Sequence, residues 1–239
     1  MVTGGSRGIG FATAKILSEN GATVIITARN QERLEKSISK IPNSIGIAAD
    51  IRNSNDVKNV VNKTIKKFGR LDILVNNAGI FPKIKQLHEI DEDEWNEVLD
   101  VNLTGQFRFT KEAIPHLQKT SGSIINISSD AGIKAYQGFN ADAYSASKAA
   151  LILLTKCWAL EYSKDRIRVN CICPGVVDTD MTKPFMRTQK DKEFMNSEHP
   201  IGRIGQPDEV GKAVLYFASD DASWITGAVL AVDGGESIK

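Results

Sequence analysis

Short apolar runs alternate with segments of helical periodicity along this chain. Both kinds of element are buried most readily when the runs form a parallel sheet and the helices cover it. Thr23 to Thr27 is one such run and Ser44 to Ala49 another, followed by Leu71 to Val75, Ser123 to Ile127, Val169 to Cys173 and Val229 to Val232. Between them the spacing predicts helices over Asn30 to Lys40, Glu92 to His116 with Pro115 near its end, Asp142 to Tyr162, and Pro207 to Ala218. Ser54 caps a further helix, in which Val57, Val61, Ile65 and Phe68 recur at the 3.6-residue period and which Gly69 stops. The expectation is one doubly wound α/β domain over residues 1–239, its mostly parallel sheet flanked by helices on both faces. Thr182 to Pro200 is polar, carries Lys183, Lys190 and Lys192, and has no place in that sheet; it reads as a lid or surface loop.

Charge narrows the function classes. Thirty Lys and Arg against 29 Asp and Glu give a net charge of +1, which argues against a nucleic-acid binder or an acidic tail protein. The three cysteines, Cys157, Cys171 and Cys173, form no metal-ligand pattern with a second cluster, and no metal is expected. Strand alternation points Cys171 and Cys173 to one face, as small buried side chains. The longest apolar run, Ala149 to Leu154, is far short of a membrane span, and no secretory signal is legible; a cytoplasmic protein is expected.

The chain opens on Thr3-Gly4-Gly5-Ser6-Arg7-Gly8-Ile9-Gly10, ahead of a helix carrying Ala12, Ala14, Ile16 and Leu17. A glycine-rich turn between strand and helix lets backbone N–H groups approach a pyrophosphate and aims a helix N-terminus at its charge. The glycines at 4, 8 and 10 are spaced Gly-x-x-x-Gly-x-Gly, a moderate signal by itself. Only Met1 and Val2 precede Thr3, so the first strand is either very short or already under way where the sequence starts.

Tyr144 and Lys148 stand at i and i+4, on one face of a predicted helix. A phenol of ordinary pKa near 10 is a poor proton-transfer group at neutral pH, and a nearby ammonium lowers that value. Upstream, Asn126-Ile127-Ser128-Ser129 closes a predicted strand at the end where open α/β sheets bind ligands. A serine hydroxyl there can donate to a carbonyl oxygen, or it can simply make a turn.

Together these residues resemble the short-chain dehydrogenase/reductase family, and the match covers nearly the whole chain. Its motifs appear in family order: Thr3 to Gly10, Asp50-Ile51, Asn76-Asn77-Ala78-Gly79, Asn102, Ser129, Tyr144 with Lys148, and Pro174-Gly175. Ile225-Thr226-Gly227 and Val232-Asp233-Gly234-Gly235 follow near the end. The resemblance implies a Rossmann-type fold and a hydride transfer between NADP(H), or NAD(H), and a carbonyl or alcohol. By the same resemblance Tyr144 is the acid in reduction and the base in oxidation, and Lys148 tunes it and holds the nicotinamide ribose. Ser129 orients the carbonyl, with the adjacent Ser128 as its rival, and Asn102 supports a proton relay through the lysine. Gly4, Ser6, Arg7, Gly8, Ile9 and Gly10 would cradle the cofactor. Asp50 and Ile51 would meet its adenine, and Asn77, Ala78 and Gly79 its centre. Pro174, Gly175, Val177 and Thr179 would meet its carboxamide end. The stretch from Asp130 to Ala143 is a couple of residues longer than the family pattern, which leaves Tyr136, Phe139 and Asn140 without assigned contacts.

Ala28 stands where an NAD-preferring member carries a carboxylate, with Arg29 after it and Arg7 in the glycine turn, so NADP(H) is expected. Both a 3-oxoacyl thioester reductase and a sugar or polyol dehydrogenase fit. A non-enzymatic nucleotide sensor is the alternative, weakened by the presence of both Tyr144 and Lys148. An apolar face through Ala149, Ile152, Leu153 and Trp158 predicts a homo-oligomer, a tetramer or dimer, with small-molecule substrates and no nucleic-acid or membrane partner.

Overall fold

Successive residues of a strand point to opposite faces, and the apolar core divides accordingly. Val24, Ile26, Val75, Ile125 and Ile172 pack on one side; Ile25, Leu74, Ile124 and Val169 pack on the other. A computed structural model describes residues 1–239. Its strands are β1 (Val2–Thr3), β2 (Val24–Ala28), β3 (Ser44–Ala48), β4 (Ile73–Asn76), β5 (Ser123–Ile127), β6 (Arg168–Pro174) and β7 (Val229–Val232). They form one parallel sheet in the order β3-β2-β1-β4-β5-β6-β7. The first strand is two residues long, yet it holds the centre of the sheet between β2 and β4.

One face is covered by α1 (Gly8–Glu19), α2 (Gln31–Ile38) and α8 (Pro207–Ala218), through Leu17, Leu34, Val214 and Phe217. The other carries α3 (Ser54–Phe68), α5 (Gly105–Thr120) and α6 (Asp142–Glu161), through Val57, Val61, Phe109, Leu117 and Leu151. The Rossmann-type expectation holds. No helix is long and apolar enough to cross a membrane.

Local chemistry moves several boundaries. The cap of α3 is Asn53 and not Ser54: its side chain accepts from the N–H groups of Asn55 and Asp56. Gly69 ends that helix in the left-handed conformation, φ 72°. The helix expected from Glu92 to His116 is three pieces: α4 (Glu92–Leu99), a wide π turn over Asp100–Thr104, and α5. Pro115 lies inside α5 and does not end it. Thr182 to Pro200 is more than loop, since it contains a short turn at Lys183–Phe185 and helix α7 (Gln189–Glu198). Thr188 and Asp191 cap α7 reciprocally, at 3.1 and 2.8 Å. Trp158 is a core residue on the inner side of α6 and does not belong to the outer apolar face. The exposed stripe of that helix runs instead through Ala149, Leu153 and Leu160.

Candidate active site

Strand order reverses at β1 and β4, so their carboxyl ends open a crevice where the chain leaves in opposite directions. The glycine turn forms its floor. Gly4 and Gly8 adopt φ of 65° and 52°, which side chains rarely tolerate. A Cβ at Gly10 would lie 2.4 Å from both the Asn77 amide and the Gly4 carbonyl. Asn77 locks the turn to β4 by donating to the Thr3 carbonyl at 2.8 Å, while Thr3 Oγ1 accepts from the N–H groups of Asn77 and Ala78. No side chain caps α1, and its first turn holds no acid. Its leading N–H groups are therefore free for an anion, and this cradle fits a dinucleotide pyrophosphate.

The crevice measures about 310 Å³, within the size range of ligand pockets. Every residue named above for cofactor contact lines it, from Gly4 and Ser6 through Asp50 and Ile51 to Val177 and Thr179. Ser129, Tyr144 and Lys148 line it too, while Asn102 stands behind it. Arg33, one turn into α2, lines the same end as Arg29 and Asn30; the sequence reading omits it. Arg7 pairs loosely with Asp180 at 3.8 Å. Asp50 is gripped by the Arg52 guanidinium, with contacts down to 2.7 Å, and those hydrogen bonds hold its carboxyl below the usual range.

At the other end α6 carries Tyr144 and Lys148. Lys148 is buried, its Nζ 5.6 Å from the Tyr144 ring centre and 2.9 Å from the Ile127 carbonyl, to which it donates. Burial pushes this ammonium down to about 8. The tyrosine departs from expectation. Burial pushes its phenol up to about 12, the Ser129 hydroxyl opposing and the Asp130 charge adding to the rise. At neutral pH the phenol holds its proton. The two serines separate by role: Ser128 donates to the Lys148 carbonyl at 2.8 Å and braces the helix, whereas Ser129 sits beside the phenol. Asn102, on the π turn, clamps Ile80 through both its N–H (2.8 Å) and its carbonyl (3.0 Å) and reaches Ser147 at 3.3 Å. A Cβ at Gly79 would be 3.4 Å from Asn102 Oδ1 and 3.7 Å from Lys148 Nζ, so these residues converge. A π turn at such a point is how a helix re-aims a functional side chain.

A buried polar cluster behind Ser129 is not legible in sequence. Asp130 accepts from the Ser129 hydroxyl and the Tyr136 hydroxyl, both at 2.8 Å. Burial, and then the charge of Glu236, push Asp130 up to about 6. His199 Nδ1 faces the Met195 carbonyl at 2.7 Å, and a carbonyl only accepts, so that nitrogen carries a proton. Its Nε2 stands 3.0 Å from Glu236 Oε2, a contact without full hydrogen-bond alignment. Burial raises Glu236, but His199, Asp130 and the Val176 backbone together outweigh it and hold the carboxyl low. The cluster thus ties the end of α7 and the C-terminal turn to the residue next to Ser129.

Comparison with known proteins matches residues 4–237 to the enoyl-(acyl carrier protein) reductase family model. A 3-oxoacyl-[acyl-carrier-protein] reductase FabG of Thermotoga maritima is 39% identical over 98% of this chain and 96% of its own. Dehydrogenase/reductase SDR family member 4 of Caenorhabditis elegans is 38% identical over 98% and 93%. Among solved structures, the Thermoplasma acidophilum aldohexose dehydrogenase superposes with a TM-score of 0.91 at 37% identity, covering 100% of this chain and 93% of that one.

Proposed function

This chain belongs to the short-chain dehydrogenase/reductase family, an oxidoreductase acting on CH–OH and C=O groups, and we propose that Tyr144, Ser129, Lys148 and Asn102 carry its chemistry on one catalytic domain spanning residues 1–239. The convergence of Tyr144, Ser129 and Lys148 at one end of the crevice that the glycine turn floors carries the reading. Ser129 and Tyr144 hold the carbonyl oxygen between two hydroxyls, and Tyr144 donates its proton to it. A bound nicotinamide would supply the hydride in reduction and would carry a positive charge when oxidised. Lys148 contributes its own charge and a donor for the nicotinamide ribose, held in place from the Ile127 carbonyl, while Asn102 fixes the loop at Ile80. A screen of carbonyl and alcohol substrates, followed by nicotinamide absorbance, tests this directly. Turnover of none would sink it.

The nucleotide is NADP(H). Arg29, Arg33 and Arg7 line the crevice, Ala28 brings no competing carboxylate, and Arg52 neutralises Asp50. A 2′-phosphate carries nearly two charges, and guanidinium is the donor best shaped for it. Ala28→Asp with Arg29→Leu is expected to swing the kcat/KM preference toward NAD(H) by about 10²-fold, as loss of a charge-assisted contact plus a new repulsion implies. Equal or better kcat/KM with NADH in the unaltered protein would overturn the assignment.

Substrates are ketones, aldehydes or secondary alcohols, within the span from 3-oxoacyl thioesters to sugars that the relatives' names cover. The working form is a cytoplasmic homo-oligomer, a tetramer or dimer. Leu153 and Leu160 of α6 are 63% and 79% exposed, and a second copy would cover them. Light scattering at micromolar concentration should give a mass well above 26.1 kDa; the monomer mass would refute the assembly.

Asp130 gives the reaction a pH signature. Its carboxyl titrates near 6, and above that pH its negative charge raises the Tyr144 phenol and competes for the Ser129 proton. Reduction should therefore quicken as pH falls through 6, because both hydroxyls then serve the carbonyl. Asp130→Asn should erase that step and move the alkaline limb of alcohol oxidation to lower pH. Matching pH–rate profiles for variant and parent would refute the coupling.

A further inference from the structure

Aromatic rings from three separate segments form one cluster beside the reactive phenol. Phe81 follows β4, Tyr136 and Phe139 lie in the stretch before α6, and Phe185 belongs to the short turn ahead of α7. The Phe81 ring centre is 4.9 Å from that of Tyr144, 5.5 Å from Phe185 and 5.6 Å from Phe139. Phe139 stands 6.4 Å from Tyr144 and 6.2 Å from Tyr136. Most of these pairs meet edge to face, the arrangement in which the ring quadrupoles attract. All these rings are only half-buried, so the cluster keeps surface to offer a ligand.

Several polar groups of this wall are already engaged. Tyr136 donates its hydroxyl to Asp130 at 2.8 Å, and the other Asp130 oxygen takes Ser129 and the Ala131 N–H. Thr182, at the foot of the Phe185 turn, donates to the Val177 carbonyl at 2.6 Å. The Tyr144 and Ser129 hydroxyls face the crevice, a pair of donors suited to a single carbonyl oxygen. A substrate with a row of hydroxyls would set them against ring faces, and each buried hydroxyl left without a partner is costly. A flat or compact ring would lose no hydrogen bond there and would gain ring contacts.

We propose that the substrate carries its reacting carbon in, or directly attached to, a six-membered aryl or alicyclic ring, and that Phe81, Phe139 and Phe185 select it over open-chain polyhydroxy compounds. The proposal rests on the oxidoreductase reading of the same site and narrows it.

Cyclohexanone and acetophenone, compared with erythrulose under NADPH, test it. The expected kcat/KM is at least about tenfold higher for the cyclic ketones, the discrimination an aromatic wall beside the phenol supplies. Phe81→Ala and Phe139→Ala should each cut that ratio by about three- to tenfold, whereas Phe81→Tyr retains it. A ratio taken on one preparation does not depend on how much of the variant folds. A ratio at or below unity, or one that neither alanine variant moves, overturns the proposal while leaving the oxidoreductase reading intact. Should none of the three ketones turn over with either nucleotide, the oxidoreductase reading rests on the wider screen and calorimetry decides on the ring site. Binding of benzyl alcohol to the NADP⁺-loaded protein, weakened by Phe81→Ala, supports it; no binding, or binding indifferent to Phe81, refutes it.

Discussion

Phenylalanine in place of Tyr144 lowers kcat by about 10²–10⁴-fold, the contribution of a positioned general acid, with little change in nucleotide affinity. The substitution removes one oxygen and one proton and keeps the ring, so the contacts with Phe81 and Phe139 persist and the fold has no reason to respond. Its effect belongs to the proton. The phenol is pushed up to about 12 and is fully protonated at neutral pH, which suits it to give a proton to a developing alkoxide. Oxidation of an alcohol needs the phenolate, so in that direction the parent enzyme should speed up with rising pH. The variant should show no such limb. Stopped-flow measurement of the hydride step in both directions checks this. Residual turnover above about a tenth of the parent's would mean that another group donates the proton.

Much of this arrangement is legible from residue order, because strands and amphipathic helices announce themselves by periodicity. Ser123 to Ile127 and Val229 to Val232 coincide with β5 and β7, and Pro207 to Ala218 with α8. Periodicity fails where one residue more per turn is inserted, as at Asp100–Thr104, since a π turn shifts the apolar stripe without breaking it. It also fails for α7, which buries none of its residues; there the signal is the Thr188/Asp191 capping pair. Trp158 shows a third limit. A helix apolar over most of its length gives no phase, so sequence alone cannot separate Trp158, which is core, from Leu160, which is surface. The site residues divide the same way. Gly10, Asn77, Tyr144 and Lys148 are recognised through short motifs, whereas Asp130, His199 and Glu236 meet only because the C-terminal turn folds back behind Ser129. The aromatic wall likewise draws on three loops with no shared pattern.

Lys148→Met should cost both turnover and nucleotide affinity, and the joint loss distinguishes this lysine from Tyr144. The ammonium is buried against the Ile127 carbonyl, 5.6 Å from the Tyr144 ring centre, and burial brings it down to about 8. A group so placed is costly to keep charged, which makes a purely structural role a poor explanation for it. Methionine leaves the Ile127 carbonyl without its donor, a loss of about 1–3 kcal/mol, but it also removes the penalty of burying an ammonium. Those terms oppose each other, so the melting temperature should move little. Function has no such compensation. A charge-assisted hydrogen bond to the ribose is worth about 1.5–3 kcal/mol, so nucleotide Kd should rise by about 10–10²-fold. The phenolate loses a nearby positive charge, and alcohol oxidation should suffer more than carbonyl reduction, which starts from the protonated phenol. Calorimetric Kd for NADP⁺ and kcat in both directions separate the cases: unchanged affinity would show that Lys148 does not reach the nucleotide, and equal losses in the two directions would show that it does not act on Tyr144.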